Sequence, residues 1–306
     1  MKRTSLSILY LSLVLLLSGA AVQAELNVVT TTTDLADIAK KIGGNKVKTI
    51  ALAKGYQDPH FVDAKPSTIL KLKRADVFIQ VGLDLEIGWV PSLLEAARNQ
   101  KIYFGGPGYI NASQNIELLE IPKEDPAYMR ALGDIHAYGN PHYWLDPQNG
   151  KIIATTICNR FKKLEPENSQ FFQDNLDAFI NRLDAAIVGW KEKLAPYKGR
   201  KIIAYHNSWP YFAAFSNIEI EGFIEVKPGI PPTARHLISL IKTGKSKSIK
   251  TVIISPYFDE RPAEVVAEKI GAQAVAIAPS VASIEGIDSY IGLFDYNVKV
   301  LINSFK

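Results

Sequence analysis

The chain has 306 residues, 35 Lys and Arg against 31 Asp and Glu, 47% hydrophobic residues and a single cysteine. That length accommodates two domains of ordinary size. A formal charge of +4, only +2 without Lys2 and Arg3, is too weak a bias to suggest a nucleic-acid partner, and one cysteine excludes an internal disulfide.

In chain order, residues 1–24 read as a secretory signal. Lys2 and Arg3 supply the charged start, residues 9–17 are almost wholly apolar, and Val22-Gln23-Ala24 gives the small-x-small pattern for cleavage after Ala24. The apolar run is shorter than the ~20 residues that span a bilayer, and no later segment is long enough either. No cysteine stands near the cleavage site for lipid attachment, so the expected mature product is exported, free and soluble.

The first half then alternates short β-branched runs with helical patterns. Strands are expected at 26–31, 47–51, 77–81 and 102–104, with helices at 34–42, 65–75 and 89–99, the first carrying Leu35, Ile38 and Ile42 on one face. Alternation of this kind implies right-handed crossovers and a parallel sheet. Residues 105–140, rich in Gly, Pro and acids, read as a long surface loop. A helix follows at 150–164, where Cys158 shares the apolar pattern of Ile152, Ile153, Ile157 and Phe161, as a buried inert thiol would.

Residues 167–194 carry Phe172, Leu176, Phe179, Leu183, Ile187, Trp190 and Leu194 on one continuous apolar face. A helix of that length spans ~40 Å, enough to run along two domains. The alternation then repeats, with strands at 201–205, 218–226, 252–254 and 274–278 and helices at 233–242, 262–270 and 288–305; Thr233 is the expected N-cap of the first. The fold class is therefore α/β: two βα lobes with parallel sheets, joined by one long rigid helix. The expected divisions are 1–24 signal, 25–165 N-terminal lobe, 166–196 connecting helix and 197–306 C-terminal lobe.

Three of the five histidines occupy matching contexts, Asp58-Pro59-His60, Asn140-Pro141-His142 and Tyr205-His206-Asn207. Proline stiffens the first two loops, and all three loops follow or adjoin strands, where open α/β sheets place ligand-binding groups. Each imidazole offers one nitrogen to a metal while a neighbour holds the other. His60, His142 and His206 are the candidate metal ligands; His136, close to the His142 loop, is expected on the surface, with a place as an accessory ligand or behind the ligands as the alternative, and His236 is expected in a structural place on its helix.

Together with Leu85-Glu86-Ile87-Gly88-Trp89, the continuation Tyr143-Trp144-Leu145-Asp146-Pro147, His206-Asn207-Ser208-Trp209-Pro210-Tyr211-Phe212 and Gly229-Ile230-Pro231-Pro232, these segments resemble the zinc/manganese solute-binding proteins of ABC importers, the ZnuA/TroA-like group. The resemblance spans the whole mature chain. It implies two lobes on a rigid helix, a metal buried between them, and delivery to a membrane permease by a periplasmic protein, expected to be a monomer and no enzyme. A long connecting helix limits hinge motion, so release is expected to rely on local loop movement. The group's N-lobe histidines correspond to His60 and His142 and its C-lobe ligand to His206.

One departure stands out. The group commonly adds an aspartate after the last strand, where this chain reads Ala278-Pro279-Ser280-Val281-Ala282-Ser283. Asp259, Glu260, Glu285, Asp288 or a water remain for the fourth position. Three imidazoles favour Zn²⁺ over Mn²⁺, which prefers oxygen donors, and the resemblance likewise associates a histidine at the third position with zinc. Competing readings are a metal chelate held among Trp144, Trp209, Tyr211 and Tyr257, and a zinc hydrolase with an open coordination position. Against the hydrolase, the chain has neither a His-Glu-x-x-His helix nor a Gly-x-Ser-x-Gly turn.

Overall fold

The computed structural model describes residues 25–63, 65–123, 136–227 and 229–306. The expected signal and its cleavage site lie outside the described residues. Two four-stranded parallel sheets organise the chain. The first is built from β1 (Leu26–Thr30), β2 (Val47–Ala51), β3 (Val77–Gln80) and β4 (Tyr109–Asn111) in the order β2-β1-β3-β4. The second uses β5 (Lys201–Ala204), β6 (Glu219–Phe223), β7 (Thr251–Ile254) and β8 (Gln273–Ala276) in the order β6-β5-β7-β8. The two lobes thus have the same topology, and each changes winding direction beside its first strand.

Helices α1 (Thr33–Gly43), α2 (Pro66–Lys73) and α3 (Val90–Ala97) connect the first sheet. Local chemistry sets their ends: the Thr32 hydroxyl accepts the Leu35 N–H at the start of α1, and Arg98, at φ +48°, closes α3 in the left-handed region. Helix α4 (Pro147–Leu164) begins where the Asp146 carboxylate accepts the Gln148 N–H, with Pro147 at the first helical position, where its missing N–H costs nothing.

Helix α5 (Ser169–Leu194) has 26 residues, hence a length of ~39 Å. Its apolar face meets both lobes. Near its start Phe172 packs on Phe161 of α4, with ring centroids 5.5 Å apart. Near its end Trp190 lies 5.2 Å from Phe294 and donates its indole N–H to Asp295 at 2.8 Å. Phe294 and Asp295 belong to α9 (Tyr290–Ser304), which with α6 (Pro210–Ser216), α7 (Ala234–Ser246) and α8 (Glu260–Ile270) completes the second lobe. Cys158 is buried beneath α5, where its thiol donates to the Phe172 carbonyl and burial pushes its pKa up, which suits an inert group.

Two expectations need correction. The strand expected at 102–104 is a run of turns; the sheet edge beside β3 is taken by residues 109–111 within the expected loop. Ile102 is buried, but Asn99 anchors this segment to the carbonyls of Leu72 and Ala75, and Gly108 pairs with Lys101 across the turn, so its backbone never reaches β3. Helix α6 had no counterpart in the sequence reading, although Pro210 at its first position is the usual start signal.

Candidate metal centre

The loop between β2 and α2 carries His60, the loop preceding α4 carries His142, and the chain leaving β5 carries His206. All three side chains are buried, and one ring nitrogen of each lies within 4.8 Å of the others. The topology explains the meeting: the loop after β2 and the end of β5 are on the carboxyl sides of parallel strands, where crossovers leave a crevice.

The two N-lobe histidines are held by one local device. Asp58 Oδ1 accepts both the His60 backbone N–H at 3.0 Å and the ring Nδ1 at 2.6 Å. Asn140 Oδ1 does the same for His142, at 3.0 Å to the backbone and 3.0 Å to Nδ1. In each case the acceptor sits two residues earlier, with proline between, so the side chain turns back over its own loop. The Asn140 amide is oriented by its other end, which donates to Glu120 at 3.0 Å and to the Asn207 carbonyl at 2.9 Å.

His206 is held from a distance. Glu225, just beyond β6, accepts from its Nδ1 at 2.7 Å, and the other carboxylate oxygen takes the Gly229 N–H at 2.7 Å. Oxygen acceptors on all three Nδ1 atoms put the proton there and make each Nε2 an acceptor. The Nε2 of His142 is buried with no hydrogen-bond partner among the described residues. Burial drives the His142 pKa well below the usual imidazole value, with His60 and His206 adding to the effect, so the ring is neutral at neutral pH. Burial is the largest single influence on Asp58 and opposes its ionisation, but the bonds to the His60 ring and backbone together with the neighbouring imidazoles outweigh it and hold its carboxyl below the usual range.

Aromatic side chains fasten the loops. Trp144 stands 5.3 Å from the His142 ring and donates to the Pro279 carbonyl at 3.0 Å; Tyr211 donates to the Asn140 carbonyl at 3.1 Å; Phe258 lies 5.8 Å from His206. The segment where a family aspartate was expected is itself pinned. Ala278 pairs with Asn297, and Val281 donates to Asp34 at 3.0 Å from the opposite lobe. The packing is close enough there that a Cβ on Gly55 would stand 2.1 Å from the Val281 carbonyl oxygen. Asp259, Glu260, Glu285 and Asp288 are exposed and outside the histidine group, and Asp259 is spent capping α8.

His136 is half-buried, not an exposed surface side chain. A turn from His136 to Gly139 folds its ring onto His60, 5.0 Å between centroids and 29° between planes, with the two Nε2 atoms 3.0 Å apart. Burial, then the His60 and His206 charges, lower its pKa to about 3. His236 does take a structural place, its Nε2 bonded to the Phe223 carbonyl at 2.7 Å. The sequence reading missed Glu225 and Glu120; an acid near the end of the strand expected at 218–226 looks like any solvent-facing position, and only the fold carries it to His206.

Comparison with known proteins places the chain in a family. The family model described as "ZnuA: Zinc-uptake complex component A periplasmic" matches residues 28–304. The metal ABC transporter substrate-binding lipoprotein SloC of Streptococcus mutans is 27% identical over 100% of both chains. The manganese ABC transporter substrate-binding lipoprotein PsaA of Streptococcus pneumoniae is 24% identical over 97% of this chain and 96% of its own. A solved structure of ZnuA superposes with a TM-score of 0.76 at 28% identity, covering 92% of this chain and 100% of that one. A manganese-bound periplasmic metal-binding protein from candidatus Liberibacter asiaticus shares the fold at 17% identity and a TM-score of 0.75, covering 92% of this chain and 100% of its own. With its two parallel-sheet lobes on one long helix and nearly its whole length matched, the chain belongs to the ZnuA family.

Proposed function

We propose that this protein binds a divalent transition-metal ion through the Nε2 atoms of His60, His142 and His206 and delivers it to the membrane permease of an ABC importer, outside the cytoplasmic membrane. The observation that carries the reading is the convergence of three buried imidazoles whose Nδ1 atoms are each anchored to an oxygen. Such anchoring aims the lone pairs and raises ligand basicity. One of these nitrogens, His142 Nε2, is buried without a partner among the described residues, a cost that a bound cation removes.

The cargo we assign is Zn²⁺. Imidazole donors suit zinc, whereas manganese prefers carboxylate and water oxygens, and no carboxylate belongs to the histidine group among the described residues. Relatives named for manganese keep Mn²⁺ as the competing cargo. We divide the chain into an N-terminal lobe at 25–165, a connecting helix at 166–196 and a C-terminal lobe at 197–306, acting as a monomeric carrier without catalytic activity. Because α5 packs against both lobes, release proceeds by movement of the ligand loops, with the lobes held in place.

The test is metal content of purified protein, then competition between Zn²⁺ and Mn²⁺, then His206→Ala. One ion per chain, zinc preference and loss of stoichiometric binding in the variant are expected. Tighter Mn²⁺ binding would overturn the cargo, and unchanged zinc affinity in His206→Ala would overturn the site between the lobes.

A further inference from the structure

Three histidines leave a tetrahedral ion one ligand short, and the residues that sequence comparison offered for the fourth place are turned elsewhere. The structure instead sets a fourth imidazole against the group. His136 Nε2 is 3.0 Å from His60 Nε2. Nitrogens sharing one tetrahedral zinc at ~2.0–2.1 Å stand about 3.4 Å from each other, and the centroids of their rings about 5 Å. The His60 ring lies 5.0 Å from His136, 5.3 Å from His142 and 5.7 Å from His206, while His142 lies 5.9 Å from both His136 and His206. Five of the six possible pairs therefore sit at nearly the spacing of a four-imidazole site.

The hydrogen bonding gives the contact a direction. With its proton on Nδ1, bonded to Asp58, and none on Nε2, the form a metal ligand must take, His60 offers only a lone pair at Nε2, and in that form the proton shared across the 3.0 Å contact belongs to His136. The metal-facing lone pair of His60 is thus covered by His136, and any ion bound there must displace that N–H. His136 Nδ1 is buried without a partner among the described residues, so its other nitrogen is free to take the proton. The exchange is neutral: one proton leaves Nε2 and one arrives at Nδ1.

We propose that His136 covers the site while it is empty and becomes the fourth ligand when the ion enters, through a swing of its side chain that exchanges its bond to His60 for a bond to the metal. This rests on the three-histidine reading above. The mutually close group is His60, His142 and His206; His136 lies outside it, with its Nε2 on His60 and its ring 5.9 Å from that of His142, which is why a movement is required.

The chain has five histidines, and His236 is bonded to the Phe223 carbonyl on another face, so an imidazole count identifies the ligand. X-ray absorption on tag-free full-length protein loaded with one equivalent of Zn²⁺ is expected to show four imidazoles. His136→Ala is expected to show three, still bind one ion, and lose at least the roughly tenfold to hundredfold affinity that removing even an outer partner of a ligand costs. His136→Gln, which keeps a polar side chain, is expected to match the alanine variant. Three imidazoles in the wild type, or the same count in wild type and variants, would overturn the role of His136 and leave the three-histidine site standing. A wild type holding no stoichiometric zinc, or an unchanged count in His206→Ala, would overturn both.

Discussion

The two lobes share one strand order, yet they equip the site by different means. In the N-lobe each histidine is oriented by a residue two positions earlier, Asp58 for His60 and Asn140 for His142, so backbone and ring are fixed within one tripeptide. In the C-lobe His206 depends on Glu225, 19 residues away and on the far side of α6 and β6. Local orientation survives small shifts of the sheet; remote orientation requires β5 and β6 to be in register. The C-lobe ligand is therefore the one whose geometry is tied to the packing of its whole lobe.

The largest expected effect comes from loosening that packing. Trp190 joins the long helix to α9 through Phe294 and Asp295, and Trp190→Ala removes a large buried ring and leaves Asp295 without its indole donor. A loss of ~3–5 kcal/mol is expected. Calorimetry distinguishes two cases: one transition moving down intact means that both lobes melt with α5, and a new low-temperature transition means that the C-lobe comes away alone, which breaks the picture of a rigid connector.

Next is the seam between the lobes. Asp34, at the start of α1, is fully buried, and burial raises its pKa to about 7 against the bonds from Val281 and Ser280 that favour the anion, with Asp37 adding a further push upward. The folded state thus holds a proton that the unfolded state, near 3.8, releases. Its contribution is complete below about pH 4 and is lost as pH rises through about 7, up to about 4 kcal/mol in total. Asp34→Asn keeps an acceptor for the Val281 amide and removes the ionisation. Denaturant midpoints at pH 5 and pH 8.5 are expected to differ less in the variant than in the wild type, and equal differences would show that Asp34 does not titrate in this range.

These two regions also show what the sequence makes legible. Aspartate or asparagine, then proline, then histidine states both the ligand and its anchor in three letters, because the interaction is local. The apolar face of 167–194 states the helix, because periodicity is local too. Glu225 and His136 carry no such mark. One is an acid just past a strand and the other a histidine in a stretch between glycines, and each acquires its partner only when the chain closes. The misplaced strand has the same cause: Ile102 has the hydrophobicity of a strand residue, but the sheet edge went to the segment that Asn99 and Gly108 left free to pair.

The remote anchor is expected to matter more than the local ones. Glu225→Ala deprives His206 of its acceptor and leaves the Gly229 N–H unpaired, so zinc affinity is expected to fall by about a hundredfold, the upper end of what an outer partner contributes. Isothermal titration with a competing chelator measures it. A fall of less than threefold would mean that His206 is oriented by its lobe's packing alone.

The smallest effect, and the sharpest on the comparison, is Asp58→Asn. An amide oxygen can still accept from His60 Nδ1, and the N-lobe already demonstrates the arrangement, since His142 is held by Asn140 with the same two bonds. What the change removes is negative charge: the carboxylate strengthens the donor character of His60 Nε2 through the ring, and an amide does so less. A loss of about tenfold or less in zinc affinity is expected, with thermal stability of the metal-free protein almost unchanged because both bonds persist. Asp58→Ala, which removes the acceptor altogether, is expected to lose more affinity than Asp58→Asn. Equal losses in the two variants would mean that the charge of Asp58, and not the position it gives the ring, is what the N-lobe contributes, and the distinction between local orientation in one lobe and remote orientation in the other would then fail.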